Sequence, residues 1–187
     1  MKRAGIVVSV VAALVVVALL YLRQEDERER QFDAEIRAAA RRYGVDPLLV
    51  KAIVWRESGF DPSVRGRAGE LGLMQIQEIA AQEWADAERI TSFKHSHCLD
   101  PATNTLAGTY YLSLLIKRYQ HTDDPLPYAL ADYNAGRGNV IKWNNGRAAT
   151  NSAAFIEQIG FPGTRAYVNT VLRRHSLYRF RARFGFE

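Results

Sequence analysis

The segment from Asp46 to Gly59 constrains the fold most, because it places a carboxylate at the end of a helix suited to a protein core. Asp46 is a good helix N-cap, and Pro47 is favoured at the first helical position. Residues 48–55 are apolar apart from one lysine, which predicts a helix buried on most of its faces. Glu57 follows apolar residues at four-residue spacing and therefore shares their face, while Gly59 is a helix-ending signal.

Two effects are expected to act on Glu57 at this position. Partial burial disfavours a charged carboxylate, and so does the negative end of the helix dipole, which predicts a raised pKa for Glu57. A raised carboxyl pKa is what a general acid needs to hold a proton near neutral pH. From this segment alone the alternative stays open that Glu57 is a surface glutamate at a frayed helix end, paired with Arg56 or Lys51.

Helical spacing of apolar residues continues through the rest of the chain. Helices are predicted over residues 32–43, 47–57, 73–87, 100–119, 128–133, 140–143 and 164–184, with loops at 61–72 and 134–138. No segment alternates apolar and polar residues as a strand does. The prediction is an all-α fold with one core, which a chain of 187 residues is long enough to bury.

An almost uninterrupted apolar run covers residues 4–22. As a helix it would span roughly 28 Å, close to the ~30 Å hydrocarbon core of a bilayer. We predict a membrane anchor over residues 1–22, with a cleaved secretion signal as the alternative. Residues 23–31 are predicted to be a charged linker or the exposed start of a helix, and residues 32–187 a single domain.

Charge and cysteine content limit the classes of partner and cofactor. The net charge of +5 suits an anionic partner, but no nucleic-acid-binding motif is present, so a nucleic acid is not predicted. Cys98 is the lone cysteine, which excludes an internal disulfide. His95 and His97 flank it, but such a loop cluster is a weak metal signal, and we predict no metal site and no cofactor.

Three segments far apart in sequence combine glycines with amide and hydroxyl side chains. They are ESGFDP (57–62), GELGLMQI (69–76) and YNAGRG (133–138). Glycines allow close backbone approach, while Gln75, Tyr133 and Asn134 supply directional donors and acceptors. This mixture beside an acid suits a ligand rich in hydroxyl and acetamido groups. The alternative is that Gln75 and Asn134 only tie loops together.

These segments together resemble the signature of the lytic transglycosylases with a goose-type-lysozyme-like domain. That signature is a Glu-Ser pair ending a buried helix, then Gly-Leu-Met-Gln, then Ala-x-Tyr-Asn-Ala-Gly, in the order found here. The resemblance covers roughly residues 33–180. Supporting matches are Asp100-Pro101 with Asn104, Gly108 and Leu112 for the central helix, and Thr164-Arg165-x-Tyr167-Val168 for the last motif.

The resemblance implies a lysozyme-like helical fold and cleavage of peptidoglycan between N-acetylmuramic acid and N-acetylglucosamine. It implies that Glu57 is the single general acid and base, and that the muramic C6 hydroxyl closes a 1,6-anhydro ring where a hydrolase would admit water. The side chains implied to contact the glycan or hold the acid are Ser58, Met74, Gln75, Tyr133, Asn134 and Tyr167. Among them, Tyr133 is the tyrosine expected to hydrogen-bond Glu57. No metal or cofactor is required.

The chain departs from the family pattern at a few positions. Gly66 stands where serine is common, Glu70 where alanine is common, and Gly163 where glutamate is common. Gln77-Glu78 occupies the place of a usual proline. None of these changes removes the central residues, but Glu70 introduces the possibility of a second carboxylate near the cleft.

Two other functions stay open at this point. One is a hydrolytic muramidase in which Glu70, Glu78 or Asp61 activates water. The other is a non-catalytic, membrane-tethered peptidoglycan-binding protein. The favoured expectation is an enzyme of the bacterial inner membrane with its catalytic domain in the periplasm. A periplasmic protein released by signal cleavage is the alternative.

Overall fold

The computed structural model describes the backbone of residues 2–185 and the side chains of residues 13–185. Within this part of the chain the helices are α1 (Lys2–Arg30), α2 (Asp33–Tyr43), α3 (Pro47–Glu57), α4 (Glu78–Ala87), α5 (Pro101–Arg118), α6 (Pro125–Ala135), α7 (Arg137–Trp143), α8 (Ser152–Gln158) and α9 (Pro162–Arg183). Two 3₁₀ turns, His95–Leu99 and Gly146–Ala149, join them. The β-type pairing in residues 2–185 is limited to isolated bridges, which confirms the predicted all-α fold.

Helix α5 lies at the centre of the domain, because α2, α4 and α6 all pack against it. Its buried face carries Ala107, Leu112 and Leu115, whose side chains are fully removed from solvent. Gly108 lies on the same helix at a point of close approach, since a Cβ there would stand 2.9 Å from the Cβ of Met74. The segment that approaches α5 at Gly108 is the loop that carries Met74.

Helix α3 begins and ends where the sequence predicts. The Asp46 side chain accepts a hydrogen bond from the Leu48 backbone N–H at 2.9 Å, so it caps the helix as expected. The second carboxylate oxygen of Asp46 lies 2.8 Å from Nε2 of His175 on α9, which joins this cap to the last helix. Because α3 is packed between α2 and α9, its apolar side chains are buried on several sides.

The helix predicted from residue 73 begins only at Glu78, which corrects the sequence-based prediction. Gly72 and Gln75 have positive φ values of 72° and 46°, a left-handed conformation that a right-handed helix excludes. Leu73, Met74 and Ile76 are buried as predicted, but they reach the core from a loop. The apolar spacing in this segment therefore reports burial and not helical structure.

Other helices also differ from prediction, and α7 begins at Arg137, inside the predicted loop, and not at residue 140. Helix α6 begins at Pro125 and not at residue 128, because Asp124 caps it and a proline is accepted at the first helical position. Helix α8 was not predicted. It is short and depends on a cap from Asn151, whose side chain accepts from the Ala154 N–H at 2.9 Å.

The charged segment 23–30 forms the last turns of α1, so the prediction of a solvated linker is wrong for this segment. Glu29 is buried, and its carboxylate pairs with Arg174 on α9. Within the residues that the structure describes, no helix is long and apolar enough to cross a membrane. The predicted anchor includes residues 1–12, whose side chains lie outside that part.

Candidate active site

Glu57 is the last residue of α3 and projects from a helix whose other residues fill the core. The helix ends there because Ser58 departs from helical geometry and Gly59 and Phe60 take positive φ values of 56° and 67°. The Ser58 hydroxyl donates back to the Val54 carbonyl at 3.1 Å and so caps the last turn. Ser58, predicted to bind substrate, therefore has a structural hydrogen bond at the helix end.

Tyr167 on α9 holds the carboxylate of Glu57. Its hydroxyl donates a hydrogen bond to Oε1 of Glu57 at 2.6 Å, and its ring is buried. The exposed Arg56 guanidinium lies 5.4 Å from the centroid of the same ring. The predicted partnership of Tyr133 with the acid is wrong in this structure, because Tyr133 donates to the Met74 carbonyl at 2.7 Å.

Burial is the main cause of a raised pKa at Glu57, as the sequence predicted. The hydrogen bond from Tyr167 and the positive charge of Arg56 act in the opposite direction and lower the pKa. The negative charge of Glu70 raises the pKa again. Burial prevails, so Glu57 keeps its proton to higher pH than an exposed glutamate does.

Asn104 on α5 holds the loop that faces Glu57. Its Oδ1 accepts from the Met74 N–H, and its Nδ2 donates to the carbonyls of Leu71 and Cys98, each at 2.7 Å. Gly72 lies against this amide, since a Cβ there would stand 3.0 Å from Cγ of Asn104. The sequence marked Asn104 as part of a motif, but nothing in its spacing predicts that it fixes the loop.

The two predicted amide ligands have different surroundings. Gln75 donates through Nε2 to the carbonyls of Val64 and Gly72 at 3.0 and 2.9 Å, so its nitrogen ties the loop together. Asn134 is exposed at the end of α6, and its Oδ1 accepts from the Thr164 hydroxyl at 2.8 Å. The alternative that these amides secure loops is thus true for one end of each side chain.

These elements line a cavity of about 450 Å³ next to Glu57. It is lined by Glu57, Glu70, Gln75, Ile76, Gln77, Ala80, Tyr111, Asp132, Tyr133, Asn134, Ala135 and Gly136. Of the predicted site residues, four line this cavity directly: Glu57, Gln75, Tyr133 and Asn134. Ser58, Met74 and Tyr167 support it from behind through the contacts described above.

Tyr111 is a lining residue that the sequence analysis missed. Its ring centroid lies 5.7 Å from that of Tyr133, so the two tyrosines form one wall. Tyr111 stands three residues after Gly108 in the central motif, and this position was the available signal.

In the described part of the chain no group of three or more metal-binding side chains comes together. Cys98 is buried, and burial raises the pKa of its thiol to about 12.

The fold and the site define a helical domain with a partly buried glutamate at the wall of a polar cavity, and comparison with known proteins identifies its family. Residues 34–156 match the family model described as the transglycosylase SLT domain, so the chain belongs to that family. It is 36% identical over 131 residues to the soluble lytic murein transglycosylase of Escherichia coli strain K12, covering 69% of this chain and 20% of that protein. It is 35% identical over 113 residues to the membrane-bound lytic murein transglycosylase F of Desulfosudis oleivorans, covering 59% and 23% respectively.

Solved structures show the same relationship. The 70 kDa soluble lytic transglycosylase from Escherichia coli superposes with a TM-score of 0.67 at 32% identity, covering 77% of this chain and 24% of that one. A complex of the 70-kDa soluble lytic transglycosylase with bulgecin A superposes with a TM-score of 0.74 at 28% identity, covering 88% and 26%. The predicted lysozyme-like, lytic-transglycosylase type of domain is therefore confirmed. The chain spans about a fifth of the length of the soluble relative.

Proposed function

We propose that this chain is a peptidoglycan lytic transglycosylase that cleaves the bond between N-acetylmuramic acid and N-acetylglucosamine. The observation that carries the proposal is Glu57, a protonatable carboxylate with a raised pKa, held by Tyr167 at the wall of a polar cavity. The relatives named above are lytic murein transglycosylases. Because only one carboxylate sits at the end of a buried helix, a single residue serves as acid and then as base.

In the proposed reaction Glu57 first gives its proton to the glycosidic oxygen, which leaves with the N-acetylglucosamine. The acetamido group of the muramic sugar stabilises the resulting cation, a substrate-assisted route. Glu57, now a carboxylate, then takes the proton from the C6 hydroxyl as that oxygen closes the 1,6-anhydro ring. Tyr167 keeps Oε1 in place through both steps, since its hydrogen bond favours the carboxylate form.

Substrate contacts in this proposal come from the remaining lining groups. Asn134 and Gln75 offer amide groups in the lining of the cavity, and Tyr111 and Tyr133 offer flat apolar walls for sugar rings. Met74 contributes through its backbone, whose carbonyl fixes the Tyr133 hydroxyl. Neither a metal nor a cofactor takes part in these steps.

Hydrolysis is the second candidate, because Glu70 lines the same cavity and would be available to activate water. The two functions differ in the product: a 1,6-anhydro sugar is lighter by one water than the reducing sugar from hydrolysis. Mass spectrometry of fragments released from purified peptidoglycan separates them. Glu57→Gln should lower product release by about 10²-fold or more, because the amide keeps the shape but has no proton to donate.

Glu157→Gln is the matched control for this experiment, since Glu157 is an exposed glutamate on α8 that does not line the cavity. It should retain full activity. A Glu57→Gln variant that is folded and as active as the Glu157→Gln variant would overturn the assignment of Glu57. It would favour the non-catalytic binding function if the unaltered chain were also inactive.

We also propose that residues 1–22 anchor the chain in the bacterial inner membrane and that the domain acts in the periplasm. The large apolar side chains between Leu14 and Leu22 are 52–63% exposed, and they occur on all sides of α1. Such a surface is more stable in lipid than in water. Fractionation of expressing cells tests this proposal: recovery of the intact chain in the soluble fraction would contradict it.

A further inference from the structure

Glu70 occupies a position that exists only because residue 66 is glycine. Its Oε2 accepts a hydrogen bond from the Ala68 N–H at 3.0 Å, and its backbone carbonyl accepts from the Gly66 N–H at 2.8 Å. The carboxylate lies directly over Gly66. A Cβ at residue 66 would stand 2.9 Å from the carboxyl carbon of Glu70 and closer still to Oε2, so any larger residue would displace it. Gly66 and Glu70, which both depart from the family pattern, are thus in direct contact.

The seated carboxylate faces the cavity that Glu57 lines. In the part of the chain that the structure describes, no salt bridge joins Glu70 to a lysine, arginine or histidine. The Glu70 carboxylate accepts one hydrogen bond, from the Ala68 backbone N–H, which leaves its negative charge largely uncompensated. A charge held in this way acts on its neighbours in the cavity, where less water is present to screen it than at an open surface.

We infer that Glu70, seated by Gly66, is a positioning residue of this site, and that its negative charge in the cavity it shares with Glu57 adds to the effect of burial in favouring the protonated acid. The inference deepens the proposed function and rests on it. In the first step the effect increases the fraction of enzyme with a protonated acid. In the second step it makes the Glu57 carboxylate a stronger base toward the C6 hydroxyl.

Other groups near Glu57 also affect its protonation, and a test of Glu70 must distinguish their effects from that of Glu70. Arg56 on α3 and Tyr167 on α9 favour the carboxylate form, and Tyr133 on α6 is a neutral neighbour whose own pKa is raised well above the usual value, chiefly by burial. Glu70 is the negative neighbour that opposes Arg56. Substitution of Glu70 and of Arg56 should therefore shift the pH dependence in opposite directions.

The test is the pH profile of kcat/KM for release of 1,6-anhydro product from peptidoglycan by the full chain. Activity falls on the alkaline side as Glu57 loses its proton. Glu70→Gln should move this alkaline limb to lower pH by about half a unit, which is a threefold loss at a fixed pH on the limb. Arg56→Gln should move it to higher pH, and the exposed control Glu157→Gln should leave it in place.

Gly66→Ala supplies an independent check at constant charge. It should displace the Glu70 carboxylate and shift the alkaline limb in the same direction as Glu70→Gln. A Cβ at residue 66 would also stand 2.9 Å from Oε1 of Gln75, so if Gly66→Ala does not fold, Glu70→Gln alone carries the pH test. An alkaline limb that is the same in Glu70→Gln and in the unaltered chain overturns the inference.

Failure of this inference is distinct from failure of the proposed function. If the unaltered chain releases reducing sugars and no 1,6-anhydro product, the proposed reaction is wrong. The pH profile is then measured on the reducing product, and the same shifts decide the role of Glu70. If water activation by Glu70 is the chemistry, Glu70→Gln abolishes turnover at every pH, an outcome that also overturns the positioning role.

Discussion

Glu57 is the residue at which stability and chemistry make opposite demands. The core favours an apolar side chain at the end of α3, and the proposed chemistry needs a carboxylic acid there. Burial raises the pKa of Glu57 above its value in the unfolded chain, so the folded state binds this proton more tightly than the unfolded state. The stability that this proton contributes is present below the unfolded pKa and is lost as pH rises through the higher, folded pKa.

The raised pKa of Glu57 in the folded state leads to a prediction about stability. Glu57→Gln removes the charge that becomes costly at high pH, and the carbonyl of the introduced amide can still accept from Tyr167. The variant should therefore gain stability relative to the unaltered chain at pH 8, and the gain should shrink at pH 4. Urea unfolding at both pH values measures it, with Glu78→Gln as the control for loss of one exposed carboxylate. A difference in free energy of unfolding that is equal at the two pH values would contradict the prediction.

The position of Glu57 at the end of a buried helix and the raised pKa of its carboxyl were predictable from the sequence, but its hydrogen-bond partner was not. Glu57 is marked by local signals, namely an N-cap, a proline and an apolar run that ends in a carboxylate. Tyr167 lies 110 residues away, and its contact with Glu57 depends on how α9 packs against α3. The spacing of residues within α3 or within α9 does not indicate how the two helices pack against each other. The choice between Tyr133 and Tyr167 therefore had to come from the structure.

At the scale of elements, the loop from Leu71 to Ile76 matters most, because it brings Gln75 and the Met74 carbonyl to the site. Its shape comes from Asn104, which bonds three backbone groups from inside the core. A buried backbone group without a partner costs about 1–3 kcal/mol. Hydrogen bonds between Leu71 and Ile76 and between Gly72 and Gln75 close the loop, and Asn104 ties the closed loop to the neighbouring helix.

Asn104→Ala should for this reason lower the free energy of unfolding by about 3 kcal/mol or more. Ser113→Ala on the same helix is the matched control. Ser113 is also buried, but its hydroxyl bonds the Tyr110 carbonyl within α5, so its loss should cost about 1 kcal/mol. Chemical denaturation measures both variants. Equal losses would mean that Asn104 does not hold the loop in the way described.

Helix boundaries divide into those that local chemistry sets and those that tertiary contacts set. Asp46-Pro47 and Asp100-Pro101 cap their helices through their own side chains, and both starts were predicted correctly. The segment from residue 73 to 77 has helical spacing of apolar residues, yet Gly72 and Gln75 take left-handed conformations. The loop is held in that shape by Asn104, which lies 30 residues beyond its partner Met74 in sequence. No local pattern reports such a partner.

At the scale of the whole molecule, α1 is joined to α3 through α9. Glu29 of α1 pairs with Arg174, whose guanidinium carbon lies 4.4 Å from the ring centroid of Trp55 on α3. Arg181 approaches the other oxygen of the same carboxylate at 3.7 Å. Arg28 lies against Gly59, since a Cβ there would stand 3.4 Å from its Nη2. The last turns of α1 therefore lie directly beside Gly59 and are linked to Trp55 through Arg174 of α9.

This arrangement predicts different behaviour for two truncated chains. A chain that starts at residue 23 keeps Glu29, whereas a chain that starts at residue 32 leaves Arg174 without its carboxylate. The Arg174 side chain is only 17% exposed, and an uncompensated charge at a buried pair costs about 3–5 kcal/mol. Since this pair keeps some contact with solvent, we expect the shorter chain to lose about 2–3 kcal/mol relative to the longer one.

Urea unfolding of the two chains measures this difference, and Glu29→Gln in the longer chain separates loss of the charge from loss of helix packing. If the ion pair accounts for the effect, Glu29→Gln should reproduce most of the loss seen in the shorter chain. Asp26→Asn is the matched control, because the Asp26 side chain pairs with Arg30 at the surface, where an ion pair contributes about 0–1 kcal/mol. Equal unfolding midpoints for the two truncated chains would place the start of the domain at residue 32. A lower midpoint for the shorter chain would mean that the domain includes the charged end of α1.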